Sequence, residues 1–207
     1  MPNATLFNPL DKKNLGKSIV DALIETEEVA LSSVGSFVGA GIYAIYYRGR
    51  FSAYRMIADL NSGGGSWPIY VGKAIPSGGR KGASFDATTT STALSKRLAE
   101  HVGSISSTPS LDIADFTCRY LLVDDIWIAL GETLLIERYK PVWNLVVEGF
   151  GNHDPGSGRY RGKRPLWDEL HPGRGWAQRC DPPRLSAGQI VDKVIAFLSP
   201  ISDGDSD

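Results

Sequence analysis

The run Ile42-Tyr43-Ala44-Ile45-Tyr46-Tyr47, opened by Gly39-Ala40-Gly41, constrains the fold of this chain most. β-Branched and aromatic residues suit the pleated surface of a sheet, so the run predicts a strand. A second strand is predicted over 68–71, after the glycine-rich turn at 62–66. The connection between them is too polar for core and is expected to hold a short helix over 54–60. Leu94 and Leu98 mark the buried side of a helix over 92–102, and the apolar, β-branched stretch 115–123 predicts a third strand. A helix over 126–139 is stopped by Pro141. The order β, β, α, β, α predicts a small antiparallel sheet flanked by helices, an α+β architecture. Tyr43 and Tyr70 lie on the first two strands, where pairing can bring them to one face.

Around this centre, residues 17–34 space Ile19, Val20, Ala22, Leu23, Val29 and Leu31 at helical intervals, which predicts a peripheral helix. The glycine and Thr/Ser content of 76–92 predicts a flexible loop, and 189–198 a short amphipathic helix. The chain thus divides into an N-terminal helical segment (1–37), a core (38–148), a glycine-rich, aromatic and basic extension (149–184), and a C-terminal helix with an acidic tail (185–207). A length of 207 residues suits one elaborated globular domain, and 42% hydrophobic with 22% charged residues favours neither disorder nor a membrane class. Residues 1–17 lack the apolar centre of a signal peptide, and Cys118 and Cys180 form no metal-binding spacing, so a cytoplasmic location without structural zinc is expected. The net charge of −1 hides clusters: acid gathers in 21–28, 112–125 and the tail, base in Arg80-Lys81, Lys96-Arg97 and 159–179. Phosphate contacts need only a local positive surface, so nucleic acid stays open as a partner without being favoured.

Arg97 and His101 are four apart on the predicted helix and share one face. A guanidinium is a permanently charged fork that matches phosphate oxygens. Each of the two residues alone is more often a surface or core side chain, and their pairing with the tyrosines shifts the reading towards a site. Glu132 stands in the apolar stretch 126–136, where a carboxylate must be paired, solvated in a cleft or bound to a cation. Glu137 competes with it, although Arg138 and Lys140 beside Glu137 suggest a solvated turn. Two phenols, a guanidinium, an imidazole and one carboxylate suffice for metal-assisted attack of water on a phosphodiester. A single carboxylate favours Mg²⁺, which keeps most of its waters.

The motifs Gly41-Ile42-Tyr43 and Tyr70-Val71-Gly72, followed by Arg97, His101, Glu132 and Pro141-Val142-Trp143-Asn144, resemble the GIY-YIG nuclease superfamily over about residues 38–148. The register of Glu132 ahead of the Pro-x-x-Asn selects it over Glu137. The stretches at 39–43, 68–74, 147–153 and 171–174 resemble one subgroup, type II restriction endonucleases that cleave CCGCGG. Two departures stand out: Val71 replaces the usual isoleucine, and the spacer between the tyrosine motifs is longer than in the superfamily core.

The resemblance implies hydrolysis of duplex DNA with one Mg²⁺ per site, for which Mn²⁺ can substitute. Glu132 would anchor the metal, Arg97 would bind the scissile phosphate, Tyr43 would accept the proton of the attacking water, and His101 would take it onward or be the first base itself. Tyr70 would hydrogen-bond the phosphate or the water, and Asn144 would brace the site. A Tyr43 phenolate near neutral pH needs cationic neighbours, for which Lys73, Arg97 and the metal are the candidates. Readout of G·C pairs is expected from Arg80, Lys81, Arg159, Arg161, Lys163, Arg164 or Arg174, although phosphate contact is at least as good an account of each. A palindromic target implies a homodimer, with the N-terminal helix as interface or as a simple cap on the sheet, and a functionally linked, unbound DNA methyltransferase. The alternatives are a GIY-YIG nuclease of repair or homing type and a DNA-binding protein without catalysis.

Overall fold

The computed structural model describes residues 8, 11–63, 66–76 and 91–199. Its centre is strand β2 (Gly41–Tyr47), whose seven residues are all buried. Side chains alternate across a strand, so Tyr43, Ile45 and Tyr47 face one side and Ile42, Ala44 and Tyr46 the other. Burial along the whole strand therefore demands cover on both faces. β2 pairs antiparallel with β3 (Pro68–Ala74) on one side and with β4 (Phe116–Leu122) on the other. The two-residue strand β1 (Val29–Ala30) completes the order β1-β4-β2-β3, which leaves β3 at an edge.

Helices α1 (Lys12–Glu25) and α4 (Asp125–Tyr139) cover the Ile42 face. Val20, Leu23, Ile128 and Leu135 meet Ile42, Ala44 and Val71 there, so α1 caps the sheet. The Asp124 side chain accepts from the Ile126 N–H at the start of α4, and Lys140 ends the helix in the left-handed region (φ 44°) ahead of Pro141. Helix α2 (Arg55–Ser62) lies between β2 and β3 in sequence. The Tyr43 face is covered by α3 (Ala93–Ser106), α5 (Val142–Leu145), α6 (Leu166–Leu170) and α7 (Ala187–Leu198). Leu98, Trp143, Phe150, Trp167 and Val194 form one cluster with Tyr43 and Ile45. The basic extension thus buries two large aromatic side chains against the same sheet as the core.

The strands and helices of the centre fall where the sequence predicts them, within a few residues. The N-terminal helix is a correction: it spans 12–25 and not 17–34. Val29 and Leu31, which fit a helical period, belong instead to β1 and to the 3₁₀ turn Leu31–Ser33. Strand pairing of Val29 with Cys118 and of Ala30 with Thr117 outweighs the local helical spacing. Most of the loop predicted over 76–92 lies outside the described residues.

Candidate active site

The register of β2 against β3 builds the first half of the site. Tyr43 stands opposite Gly72, and Ile45 opposite Tyr70. Opposed residues share a face, so both tyrosines point to the same side, with ring centroids 6.2 Å apart. Gly72 is needed at its position, because a Cβ there would lie 2.3 Å from the Tyr43 hydroxyl. Helix α3 crosses this face and presents Arg97 and His101 from one side. The Tyr43 hydroxyl and His101 Nε2 are hydrogen-bonded at 2.6 Å, and the imidazole stacks on Phe150 at 4.5 Å. Both Tyr43 and His101 are fully buried.

Burial sets the protonation of this pair. It holds His101 well below the usual imidazole pKa, and the guanidiniums of Arg97 and Arg174 add to the effect, so the ring is neutral at physiological pH. Burial also raises the Tyr43 phenol well above its ordinary value, the neighbouring Tyr70 reinforces this, and Arg97 opposes it only in part. In the free protein Tyr43 is therefore a phenol, hydrogen-bonded to a neutral imidazole, with the lowering effect of Arg97 outweighed by burial. Tyr70 is half-buried and also raised, chiefly by desolvation.

Arg97 donates through Nη1 to Glu100 (3.0 Å) and to His153 Nε2 (2.6 Å), and through Nη2 to the Gly151 carbonyl. A Cβ on Gly151 would stand 2.5 Å from the Tyr70 hydroxyl and 3.1 Å from Arg97 Nη2. The segment 150–153 therefore closes over the tyrosine–arginine cluster. Glu100, Phe150, Gly151 and His153 were not legible as site residues, because nothing in their spacing links them to Arg97. The signals were the resemblance of the 147–153 stretch to the restriction-endonuclease subgroup and its pair of glycines, which marks a close backbone approach.

On the opposite face of β3, Lys73 stands across from Ile42 and turns towards α4, where its Nζ lies 2.6 Å from Glu132. Lys73 thus balances Glu132 and takes no part in tuning Tyr43. The Glu132 side chain keeps 20% of its surface exposed, and its charge reaches around the edge strand to Tyr70. Glu137 lies exposed beside Arg138, away from this group. The Asn144 side chain accepts from the Val71 N–H (2.9 Å) and donates to the Val71 carbonyl (2.8 Å). It satisfies the outward backbone of the edge strand between Tyr70 and Gly72. Tyr43, Tyr70, Arg97 and His101 are thus brought together on one face, with Glu132 and Lys73 across the strand and Asn144 bracing it.

Among the basic candidates, Arg159, Arg161 and Lys163 are exposed. Arg159 and Lys163 border a cleft of about 350 Å³ that also touches Gly151 and His153. Arg164 is half-buried and bound to Glu169 (2.9 Å) and to the Ala177 carbonyl (3.2 Å). Arg174 is a correction. It is buried, pairs with Asp168, donates to the carbonyls of Gly149, Phe150 and Asn152, and lies over Trp167 and Trp176. All its donors are used inside the protein, so it holds the 149–152 segment in place and is not available to DNA. Arg80 and Lys81 lie outside the described residues. The larger cleft of about 860 Å³, between α2 and α7, is lined by Met56, Leu60 and Ile195 and lacks any of these site residues.

Two tyrosines on paired strands, facing an arginine and a histidine on a crossing helix, define a GIY-YIG nuclease core. The chain belongs to the family described as the Eco29kI GIY-YIG domain, whose profile matches residues 35–198. It is therefore a nuclease domain of the restriction-endonuclease GIY-YIG type, with DNA as its partner. No curated protein matches the chain.

Proposed function

We propose that the protein is a type II restriction endonuclease that cuts both strands of DNA at a specific site, CCGCGG, by Mg²⁺-dependent hydrolysis. The observation that carries this reading is the buried Tyr43–His101 pair beside Arg97, a proton relay next to a phosphate-binding fork. Proton transfer from water to the Tyr43 oxygen, coupled to loss of the phenolic proton to His101 Nε2, delivers hydroxide without requiring a phenolate at rest. Tyr43 is wholly shielded in the free protein, so DNA binding must open a path for the water. Arg97 and the half-buried Tyr70 would meet the phosphate first, and the guanidinium would stabilise the charge that develops on it.

Glu132 fits a magnesium ion by the chemistry of its donor set. It is a partly hydrated carboxylate whose ion-pair partner among the described residues, Lys73, is itself exposed enough to move aside. Among the described residues no group of three or more His, Cys, Asp or Glu could enclose a metal, so Glu132 would hold the ion with water and phosphate oxygens. Mg²⁺ or Mn²⁺ bound there would supply charge neutralisation at the phosphate. A palindromic site calls for a homodimer, one active site per strand, and for a methyltransferase that protects the host sequence. Exposed Arg159, Arg161 and Lys163 are the DNA contacts proposed among the described residues.

The test is plasmid DNA incubated with the protein and Mg²⁺. Discrete fragments ending at CCGCGG are expected. A smear would reduce the protein to an unspecific nuclease, and intact DNA would leave a binding protein. Glu132→Gln should abolish cleavage while affinity for DNA in Ca²⁺ stays close to that of the unsubstituted protein, and Glu137→Gln should cut normally. Cleavage by Glu132→Gln would show that another carboxylate serves.

A further inference from the structure

Arg97 is held in part from outside the tyrosine and helix motifs, by the segment that carries Gly151 and His153. Its Nη1 group is shared between Glu100 Oε2 (3.0 Å) and His153 Nε2 (2.6 Å), and His153 Nδ1 faces Glu100 Oε2 at 3.7 Å. A guanidinium has donors only, so Nε2 of His153 must present its lone pair and the ring proton sits on Nδ1, towards Glu100. The three side chains close a triangle that ties α3 to the segment following α5. The His153 side chain is 63% exposed and that of Arg97 only 18%. A contact made by so exposed an imidazole adds little to stability. What it adds is a second acceptor at Nη1 beside Glu100, which narrows the angle that the fork can take. With Gly151 accepting from Nη2, two anchors at different points leave one orientation for the guanidinium.

We propose that His153, with Glu100 behind it, is a positioning residue that orients Arg97 for the scissile phosphate before DNA arrives. The inference rests on the nuclease reading of Arg97. It assigns a part in the reaction to a residue that acts through Arg97. Glu100 partly neutralises the guanidinium at rest and selects the His153 tautomer, and the Gly151 carbonyl sets the second anchor. Transition-state stabilisation by a fork depends on its angle as much as on its charge, so a loosened Arg97 should bind DNA and cut it slowly.

Three proteins decide the matter: unsubstituted, His153→Ala and His153→Gln. Gln places a carbonyl oxygen within comparable reach and so restores an acceptor without the ring. The readouts are the single-turnover rate on a pre-bound CCGCGG duplex started with Mg²⁺, affinity for that duplex in Ca²⁺, and the ¹⁵N spectrum of the His153 ring in the free protein. His153→Ala should slow cleavage by about 10- to 100-fold with affinity changed less than about threefold, and His153→Gln should recover most of the rate. The spectrum should show Nε2 unprotonated. A wild-type rate in His153→Ala, a loss confined to affinity, or no recovery in His153→Gln would overturn the proposal. A protonated Nε2 in the free protein would do so as well. If the unsubstituted protein cuts no DNA, the nuclease reading fails, and the ring spectrum still judges whether the Arg97 contact exists.

Discussion

A phenol pushed above its ordinary pKa and bonded to a neutral imidazole would, on the proposed mechanism, divide the work of a base between two side chains. On that mechanism neither half would serve alone, because His101 is buried against Tyr43 and Tyr43 needs an acceptor for its proton. Tyr43→Phe and His101→Ala should each lower the single-turnover rate by about 10²- to 10⁴-fold, and the double variant should be scarcely worse than the slower single one. Multiplicative losses in the double variant would show two independent roles. Arg97 makes a second residue-scale prediction. Its fork serves three acceptors at once, Glu100, His153 and the Gly151 carbonyl, and lysine has no planar fork to do so. Arg97→Lys should therefore cut about 10²- to 10³-fold more slowly while binding DNA in Ca²⁺ nearly as well, and a lysine variant at wild-type rate would make the residue a mere positive charge. That these side chains share a face was legible in the i, i+4 spacing and the strand positions, and their choice as site residues came from the resemblance to the GIY-YIG motifs. Their protonation was not legible. Of the cations expected to lower the Tyr43 pKa, Arg97 is outweighed in the free protein by desolvation of the fully buried ring, and Lys73 faces the other way.

At the scale of elements, the site is built around an edge strand, which ordinarily presents unpaired backbone groups. Asn144 closes that edge at Val71, directly between Tyr70 and Gly72. Asn144→Ala should cost about 1–3 kcal/mol in urea unfolding by leaving those groups unpaired, and should lower the cleavage rate because Tyr70 loses its support. Unchanged stability would mean that water replaces the amide without cost. Elements with a strong internal signal, β2 and α4 above all, were legible in the sequence. Those fixed by distant partners were not: β1 exists only because β4 pairs with it, and α6 is a short turn of helix anchored by the buried Trp167. Arg174 misleads for a related reason, since a basic residue in a basic stretch gives no sign that Asp168 and three carbonyls await it.

Across the whole molecule, the extension and the last helix complete the cover of the Tyr43 face, and they bring a second buried histidine with them. His171 accepts or donates at Tyr54 (2.7 Å) and at Ser110 (2.8 Å), and burial pushes its pKa down to about 3. His101 is likewise depressed. In the unfolded chain both rings recover an ordinary pKa of about 6.5, so below that value the unfolded state binds protons that the folded state does not. Stability is therefore complete above about pH 6.5 and declines as pH falls, by up to about 1.4 kcal/mol per pH unit for each ring. Between pH 7.5 and pH 5 His171 should cost about 2 kcal/mol, and His101 adds a loss of the same sign, beginning well above the range in which carboxylates titrate. Urea unfolding at the two pH values measures it. His171→Phe should remove about 2 kcal/mol of the difference, even if it destabilises the protein at both pH values, because the readout is the slope with pH. Equal stability at pH 7.5 and pH 5, or a slope that His171→Phe leaves untouched, would show that these rings are protonated in the fold.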